Sequence, residues 1–271
     1  MPELQHVNAP VGVYDSGVGG LSVLQAMRRL LPREHLIYVA DSAYVPYGEK
    51  SRHKVIERSL NVAAYFMSRG VKALVVPCNT ATAAAIHVLR ERHPHLPIIG
   101  IEPAVRPAAR LTRQNVIGVF ATTGTLNSAR FHALVQREAP HARIIVRPCP
   151  DWVRAVEEGI TTGEPAIELV RPAISEVLGE GADVLVLGCT HFPFLIDAIR
   201  AVAPSSVPVL ETSEAVARQV QRQLEERGLL RTEGEGCWEF HSSGDPRQLE
   251  EVGSRVLNAP IRAQRLPAAY C

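Results

Sequence analysis

Two stretches decide the fold, ALVVPCNT (73–80) and VLVLGCTH (184–191). Each is a short run of apolar residues that ends in a cysteine followed by two polar residues. A strand that is apolar nearly throughout is buried on both faces, as in a parallel sheet covered by helices. The two cysteines, Cys78 and Cys189, stand 111 residues apart. A second pair of segments keeps the same rhythm: GVYDSGVGGL (12–21) precedes the first, and GVFATTGTL (118–126), 106 residues on, precedes the second. Matching order and matching spacing predict two similar α/β lobes of about 100 residues each.

Working outward from these segments, strands are expected at 10–14, 36–40, 73–77, 97–101, 116–120, 143–147, 183–187 and 207–210. Helical periodicity lies between them. Residues 52–69 carry Val55, Ile56, Ser59, Leu60, Ala63, Phe66 and Met67 on one stripe, opening after Ser51 and closing at Gly70. Further helices are expected at 127–138, at 164–180 with a kink at Pro172, and at 213–227. Alternating strands and helices give right-handed βαβ units. The fold class is therefore α/β: two similar, open, mainly parallel-sheet lobes flanked by helices, with the active site in the cleft between them. Boundaries near Pro103 and Pro208 assign 1–102 and 209–271 to the first lobe and 103–208 to the second. The C-terminal segment then returns to the first lobe and adds a helix and the strand 237–241.

Composition narrows the class. The chain has 271 residues, 46% of them hydrophobic and 21% charged, which is ordinary globular usage. A net charge of +1 gives no electrostatic reason for a nucleic-acid or membrane partner. No apolar run approaches the ~20 residues that span a bilayer. The N-terminal segment MPELQHVNAPVGVYDSG lacks the basic and apolar regions of an export signal, so a cytoplasmic location with reduced thiols is expected. Five cysteines are too few for a disulfide scaffold.

Ligands of open α/β sheets bind beyond the carboxyl ends of the strands. Cys78 and Cys189 each follow such a strand and precede an expected helix start, where unpaired N–H groups favour thiolate. If the lobes face each other, the thiols flank one cleft. Inverting a carbon that bears a hydrogen needs a proton removed from one face and delivered to the other, which two such groups can do. The turn Asp15–Ser16–Gly17–Val18–Gly19–Gly20 follows a strand and reads as a carboxylate-binding turn with Asp15 as a helper in proton transfer. A dinucleotide fingerprint would need glycine where Ser22 stands. Asn79–Thr80 and Thr190–His191 follow the two thiols and are expected to hydrogen-bond substrate, with His191 tuning Cys189. Pro46–Tyr47–Gly48 lies in a loop after Asp41–Ser42, and Glu157 falls on a helix of the second lobe. No ligand spacing supports a metal site: His87, His93 and His95 read as surface, and Cys149, Cys237 and Cys271 show no usable pattern.

The segments DSGVGGLSVL (15–24), ADSAYVPYGEKS (40–51), PCNTATA (77–83), ATTGTLNSARF (121–131), CPDWVRAVEEG (149–159) and GCTHFPFL (188–195) closely resemble the glutamate racemases of the cofactor-independent aspartate/glutamate racemase superfamily. TSEAVARQV (212–220) and GDPRQLEEVG (244–253) extend the likeness over nearly the whole chain. The resemblance implies a two-lobed enzyme that interconverts L- and D-glutamate by two-cysteine proton transfer, without pyridoxal phosphate, metal or any other cofactor. It implies Cys78 as the base for D-glutamate and Cys189 as the base for L-glutamate, assisted by Asp15, Glu157 and His191. It implies substrate contacts from Asp15, Ser16, Tyr47, Gly48, Asn79, Thr80, Thr123, Thr190 and His191. Family members supply D-glutamate for peptidoglycan and are often homodimers. Phe131 stands where many members have tyrosine, and Arg154 where many have proline, one turn before Glu157. The lack of a long N-terminal extension argues against the subgroup that a cell-wall precursor activates. The paired cysteines alone leave other readings open: a racemase or isomerase of aspartate, hydantoins or maleate, or a non-catalytic binder of a small anion.

Overall fold

The computed structural model describes residues 6–271. Residues 1–5, part of the N-terminal segment read above for export signals, lie outside the described residues. The chain begins with β1 (Val11–Asp15), α1 (Leu21–Leu30), β2 (Leu36–Ala40), α2 (Arg52–Ser68), β3 (Ala73–Val76), α3 (Asn79–Arg92) and β4 (Ile98–Gly100). It continues with α4 (Val105–Leu111), β5 (Val116–Ala121), α5 (Thr123–Leu126), α6 (Ala129–Glu138), β6 (Arg143–Pro148), α7 (Pro150–Glu157), α8 (Gly163–Gly179), β7 (Val184–Leu187), α9 (Ile196–Val202) and β8 (Val209–Leu210). It closes with α10 (Ser213–Glu225), β9 (Trp238–Ser242), α11 (Pro246–Leu257) and β10 (Ala263–Arg265).

Two sheets form, in the orders β10-β9-β2-β1-β3-β4 and β6-β5-β7-β8. Every strand pairing among the described residues is parallel, so the α/β fold with two helix-flanked sheets is observed. The central strands β1, β2, β3 and β7 are buried at every position, as their unbroken apolar runs require. Edge strand β6 carries the exposed Arg143 and the half-buried Arg147, which pair with Glu180 and with Glu176 and Glu180. Charges on an edge discourage pairing with another chain.

Several boundaries differ from expectation for local reasons. The helix expected at 127–138 is α6, capped by Ser128, and a separate short helix, α5, precedes it. Thr122 Oγ1 accepts from Thr125 N (3.2 Å) and Ser128 Oγ from Phe131 N (3.1 Å), so two successive caps start α5 and then α6. Helix α8 runs through Pro172 without ending; Pro172 and Glu168, whose carbonyl loses its partner, are both exposed, so water can serve it. The strand expected at 207–210 shrinks to β8, which pairs with β7 in the second sheet. The boundary expected at 208/209 thus falls just ahead of a strand of the second sheet. The C-terminal return carries two helices and two strands, one of each more than expected. The expected helix start after Cys189 is instead a 3-10 turn, Phe192–Leu195, ahead of α9.

Candidate active site

The carboxyl ends of β1, β3, β5 and β7 face one another across the two sheets. Asp15 is the last residue of β1. Cys78 lies just past β3 and caps α3, its Sγ accepting from Ala81 N at 3.5 Å. Cys189 lies just past β7. Glu157 is the last residue of α7. The two thiols are 5% and 7% exposed, so both are closed off from bulk water.

Two runs of hydrogen bonds cross between the two sides. Cys78 Sγ donates to Ser16 Oγ (3.7 Å), and Ser16 Oγ donates to Asp15 Oδ1 (3.0 Å). Asp15 Oδ2 accepts from Thr190 Oγ1 (2.8 Å), next in sequence to Cys189. Cys189 Sγ lies 3.6 Å from His191 Nδ1, and His191 Nε2 lies 2.6 Å from Glu157 Oε1. Glu157 Oε1 also accepts from Val18 N at 2.8 Å. The glycine-rich turn therefore does bind a carboxylate at Val18, and it is the chain's own Glu157. Two glycines make this possible. A Cβ on Gly17 would sit 1.8 Å from Glu157 Oε1, and one on Gly19 would sit 2.2 Å from His191 Nδ1. Tyr38 Oη fixes the turn from below by donating to Gly17 O (2.6 Å).

The two thiols have different surroundings. Burial pushes the Cys78 thiol well above its usual range, and the nearby Asp15 and Cys189 push the same way against the Ala81 N–H and Ser16. Burial alone would lower His191, but hydrogen bonds to Cys189 and Glu157 outweigh it and hold His191 well above the usual histidine value. Cys189 thus faces an imidazole, and Cys78 faces a serine–aspartate pair. A third thiol, Cys149, is raised to about 12, chiefly by burial and then by Cys189.

The remaining expected residues fall nearby in distinct roles. Thr80 Oγ1 meets Thr122 Oγ1 at 2.8 Å across the lobes, and Thr122 in turn donates to Thr125 Oγ1 at 3.0 Å. Thr123, expected as a contact, opens α5 with its side chain exposed. Its neighbour Thr122 faces inward and was not singled out in the sequence, although the threonine spacing 122/125 is visible there. Gly48 packs so tightly on Thr122 that a Cβ would lie 2.6 Å from Thr122 Cβ. Tyr47 is 1% exposed, and its hydroxyl donates to Asp41 Oδ2 at 2.5 Å. Asn79 Oδ1 is buried without a hydrogen-bond partner, an acceptor that a donor on a bound molecule would complete. Arg154 does not disturb α7, being a good helix former; it pairs with Asp151 at 2.6 Å and with Glu49 of the facing lobe. A cavity of about 600 Å³ reaches Thr80 and Gly124 and is lined by neither thiol. Among the described residues, no three His, Cys, Asp or Glu side chains are grouped so as to hold a metal ion, and no helix is long and apolar enough to cross a membrane.

Known proteins share this fold and much of this sequence. The glutamate racemase of Ectopseudomonas mendocina is 51% identical over 244 residues, covering 90% of this chain and 93% of its own. That of Pseudomonas putida strain W619 is 47% identical over 259 residues, 96% of this chain and 98% of its own. Among solved structures, Thermus thermophilus glutamate racemase in complex with β-chloro-D-alanine superposes with a TM-score of 0.84 at 37% identity, over 98% of this chain and 100% of that one. Francisella tularensis glutamate racemase in complex with D-glutamate gives 0.85 at 28% identity, over 97% and 98%. The sequence profile of the Asp/Glu/Hydantoin racemases matches residues 12–226. With its paired thiols and this match over most of its length, the chain belongs to the Asp/Glu/Hydantoin racemase family.

Proposed function

We propose that the protein racemises glutamate by a two-base 1,1-proton transfer between Cys189 and Cys78. One observation carries this reading: two buried thiols, at equivalent strand ends of two lobes, differ in their proton-holding partners. Cys189 has an imidazole held by Glu157, and Cys78 has the Ser16–Asp15 pair.

With L-glutamate, the Cys189 thiolate takes the Cα proton and becomes a thiol. The Cα carbanion is planar, and the Cys78 thiol delivers its own proton to the opposite face, giving D-glutamate and a Cys78 thiolate. With D-glutamate the roles reverse. Asp15 keeps Cys78 protonated between turnovers, and His191 with Glu157 supports the Cys189 thiolate. Ser16, Asn79, Thr80, Thr190 and the Tyr47–Gly48 loop surround the site for glutamate, the small-molecule substrate. The same reading carries the family expectations: D-glutamate feeds peptidoglycan assembly, and the protein acts in the cytoplasm as a homodimer. It also takes the chain to divide near Pro103 and again near Pro208 into two units.

The test is deuterium uptake at Cα. Purified protein without added cofactor is incubated with L-glutamate in D₂O and followed by proton NMR and optical rotation. Loss of the Cα proton together with rotation decaying to zero is expected. Cys78→Ser and Cys189→Ser should each lower racemisation at least about a thousandfold. Full racemisation by both single variants would refute the two-thiol mechanism.

A further inference from the structure

Arg58 on α2 bonds to neither thiol, yet it is 1% exposed and meets the 0%-exposed Asp41 in a fork. Its Nε donates to Asp41 Oδ2 at 3.0 Å and its Nη2 to Asp41 Oδ1 at 2.9 Å. The same Nη2 donates to the backbone carbonyl of Tyr270 at 2.9 Å, one residue from the C-terminus. The guanidinium stacks 4.1 Å over the Tyr44 ring. Burying an ion pair in a sheet end is costly, and an apolar pair often serves stability as well or better. Asp41, however, has two further bonds. Its backbone N–H donates to Asp15 O (2.9 Å), and its Oδ2 accepts the Tyr47 hydroxyl. Tyr14 backs Tyr47, with their hydroxyls 3.4 Å apart. Tyr47 starts the turn whose Gly48 packs on Thr122 of the facing lobe.

We propose that Arg58 is a positioning residue for the reaction: with the Tyr270 carbonyl it locks Asp41, Asp41 orients Tyr47, and Tyr47 sets the Gly48 turn against the second lobe. The C-terminal tail thereby acts on substrate binding from outside the cleft. The inference rests on the glutamate racemase reading and adds a residue to it. It ascribes no proton transfer to Arg58, so the effect falls on KM rather than kcat.

The experiment is a double-mutant cycle on the full-length protein with Arg58→Lys, Tyr47→Phe and both. Lysine keeps the charge but cannot fork. Each single change should raise KM for glutamate about tenfold with kcat within about threefold, and the double should be little worse than either single. A chain ending at Pro267 removes the Tyr270 carbonyl and should raise KM severalfold; if Arg58→Lys does not fold, this truncation replaces it in the cycle. Multiplicative losses near a hundredfold in the double, or a fall in kcat at unchanged KM, would overturn the positioning role. Absence of Cα exchange in the unaltered protein would instead sink the racemase reading, and this inference with it. Normal exchange in the unaltered protein with additive variants sinks the inference alone.

Discussion

Glu157→Gln tests the division of labour between the two thiols. In the native site Glu157 Oε1 holds His191 Nε2 at 2.6 Å and Val18 N at 2.8 Å. Glutamine has the same shape and keeps an oxygen for both bonds, so the turn stays in place. What disappears is the charge opposite the imidazolium. A charge-assisted hydrogen bond contributes about 1.5–3 kcal/mol and a neutral one about 0.5–1.5. The difference, about 1–1.5 kcal/mol, corresponds to roughly a tenfold loss in kcat/KM. His191 then holds its proton less firmly, and the positive charge it sets beside Cys189 weakens.

The loss has a required symmetry. Enantiomers have equal free energy in water, so kcat/KM must fall by the same factor for L- and D-glutamate. The asymmetry of the site shows only in which step limits the rate. Impairing the Cys189 side makes the step at Cys189 slower relative to the step at Cys78. With Cα-deuterated L-glutamate, Cys189 breaks the labelled bond, and the isotope effect on kcat/KM should rise. With Cα-deuterated D-glutamate, Cys78 breaks it, and the effect should fall. Polarimetry in both directions with labelled and unlabelled substrates provides the four rates. An isotope effect that rises with D-glutamate would mean that Glu157 serves the Cys78 side. Unchanged kcat/KM would mean that the charge on Glu157 does not act through His191.

Two predictions concern stability. Cys149, at about 12 in the native protein, has a thiol value near 8.5 when unfolded, and between these the unfolded chain has lost a proton that the native chain keeps. Stability should therefore fall as pH rises, by about 1.4 kcal/mol per pH unit for each such group. Cys78, Tyr14, Tyr38 and Tyr47 are also raised and act with the same sign, as does His191 from the unfolded histidine value upward. Urea titrations from pH 7 to 10 should show the decline, and Cys149→Ala should flatten it by one group's share; an identical slope in that variant would refute the assignment. Separately, Lys72 Nζ lies 2.6 Å from Glu34 Oε2 and donates to Val7 O and Leu229 O, with both side chains almost wholly buried. Lys72→Met leaves Glu34 buried without its cation and should cost about 3–5 kcal/mol by denaturant unfolding; a loss below about 1 kcal/mol would show that the pair contributes little.

How legible the site was depends on the range of the interaction. Cys78, Cys189 and Asp15 could be read because each sits at the end of an apolar strand, and strand ends are written locally. The repeat with its 111-residue spacing then placed the thiols on two lobes. The short α5 was less legible, because four residues after the Thr122 cap carry no helical periodicity, whereas α6 starts after Ser128 as its stripe predicts. Thr123 was named where Thr122 faces inward, a one-residue shift that a short helix start does not resolve. Arg58 gave no local sign. On a helical stripe it reads as a solvated arginine until the sheet brings Asp41 against it.

The unequal environments of the two thiols were the least legible feature, and the reason is general to two-lobed sites. Repetition within the chain makes the lobes alike, so each contributes a strand, a thiol and a polar follower from its own sequence. What makes the thiols differ is unlike residues within each lobe, Ser16 and Asp15 beside Cys78 and His191 with Glu157 beside Cys189, and contacts across the cleft hold those partners in place. Thr190 of the second lobe binds Asp15 of the first, and the turn of the first lobe binds Glu157 of the second. Gly17 and Gly19 are empty of side chain because Glu157 and His191 fill that space, 140 and 172 positions further along the chain. Symmetry from the repeat places a thiol at each strand end, unlike neighbours within each lobe make the two environments differ, and contacts across the cleft fix those neighbours.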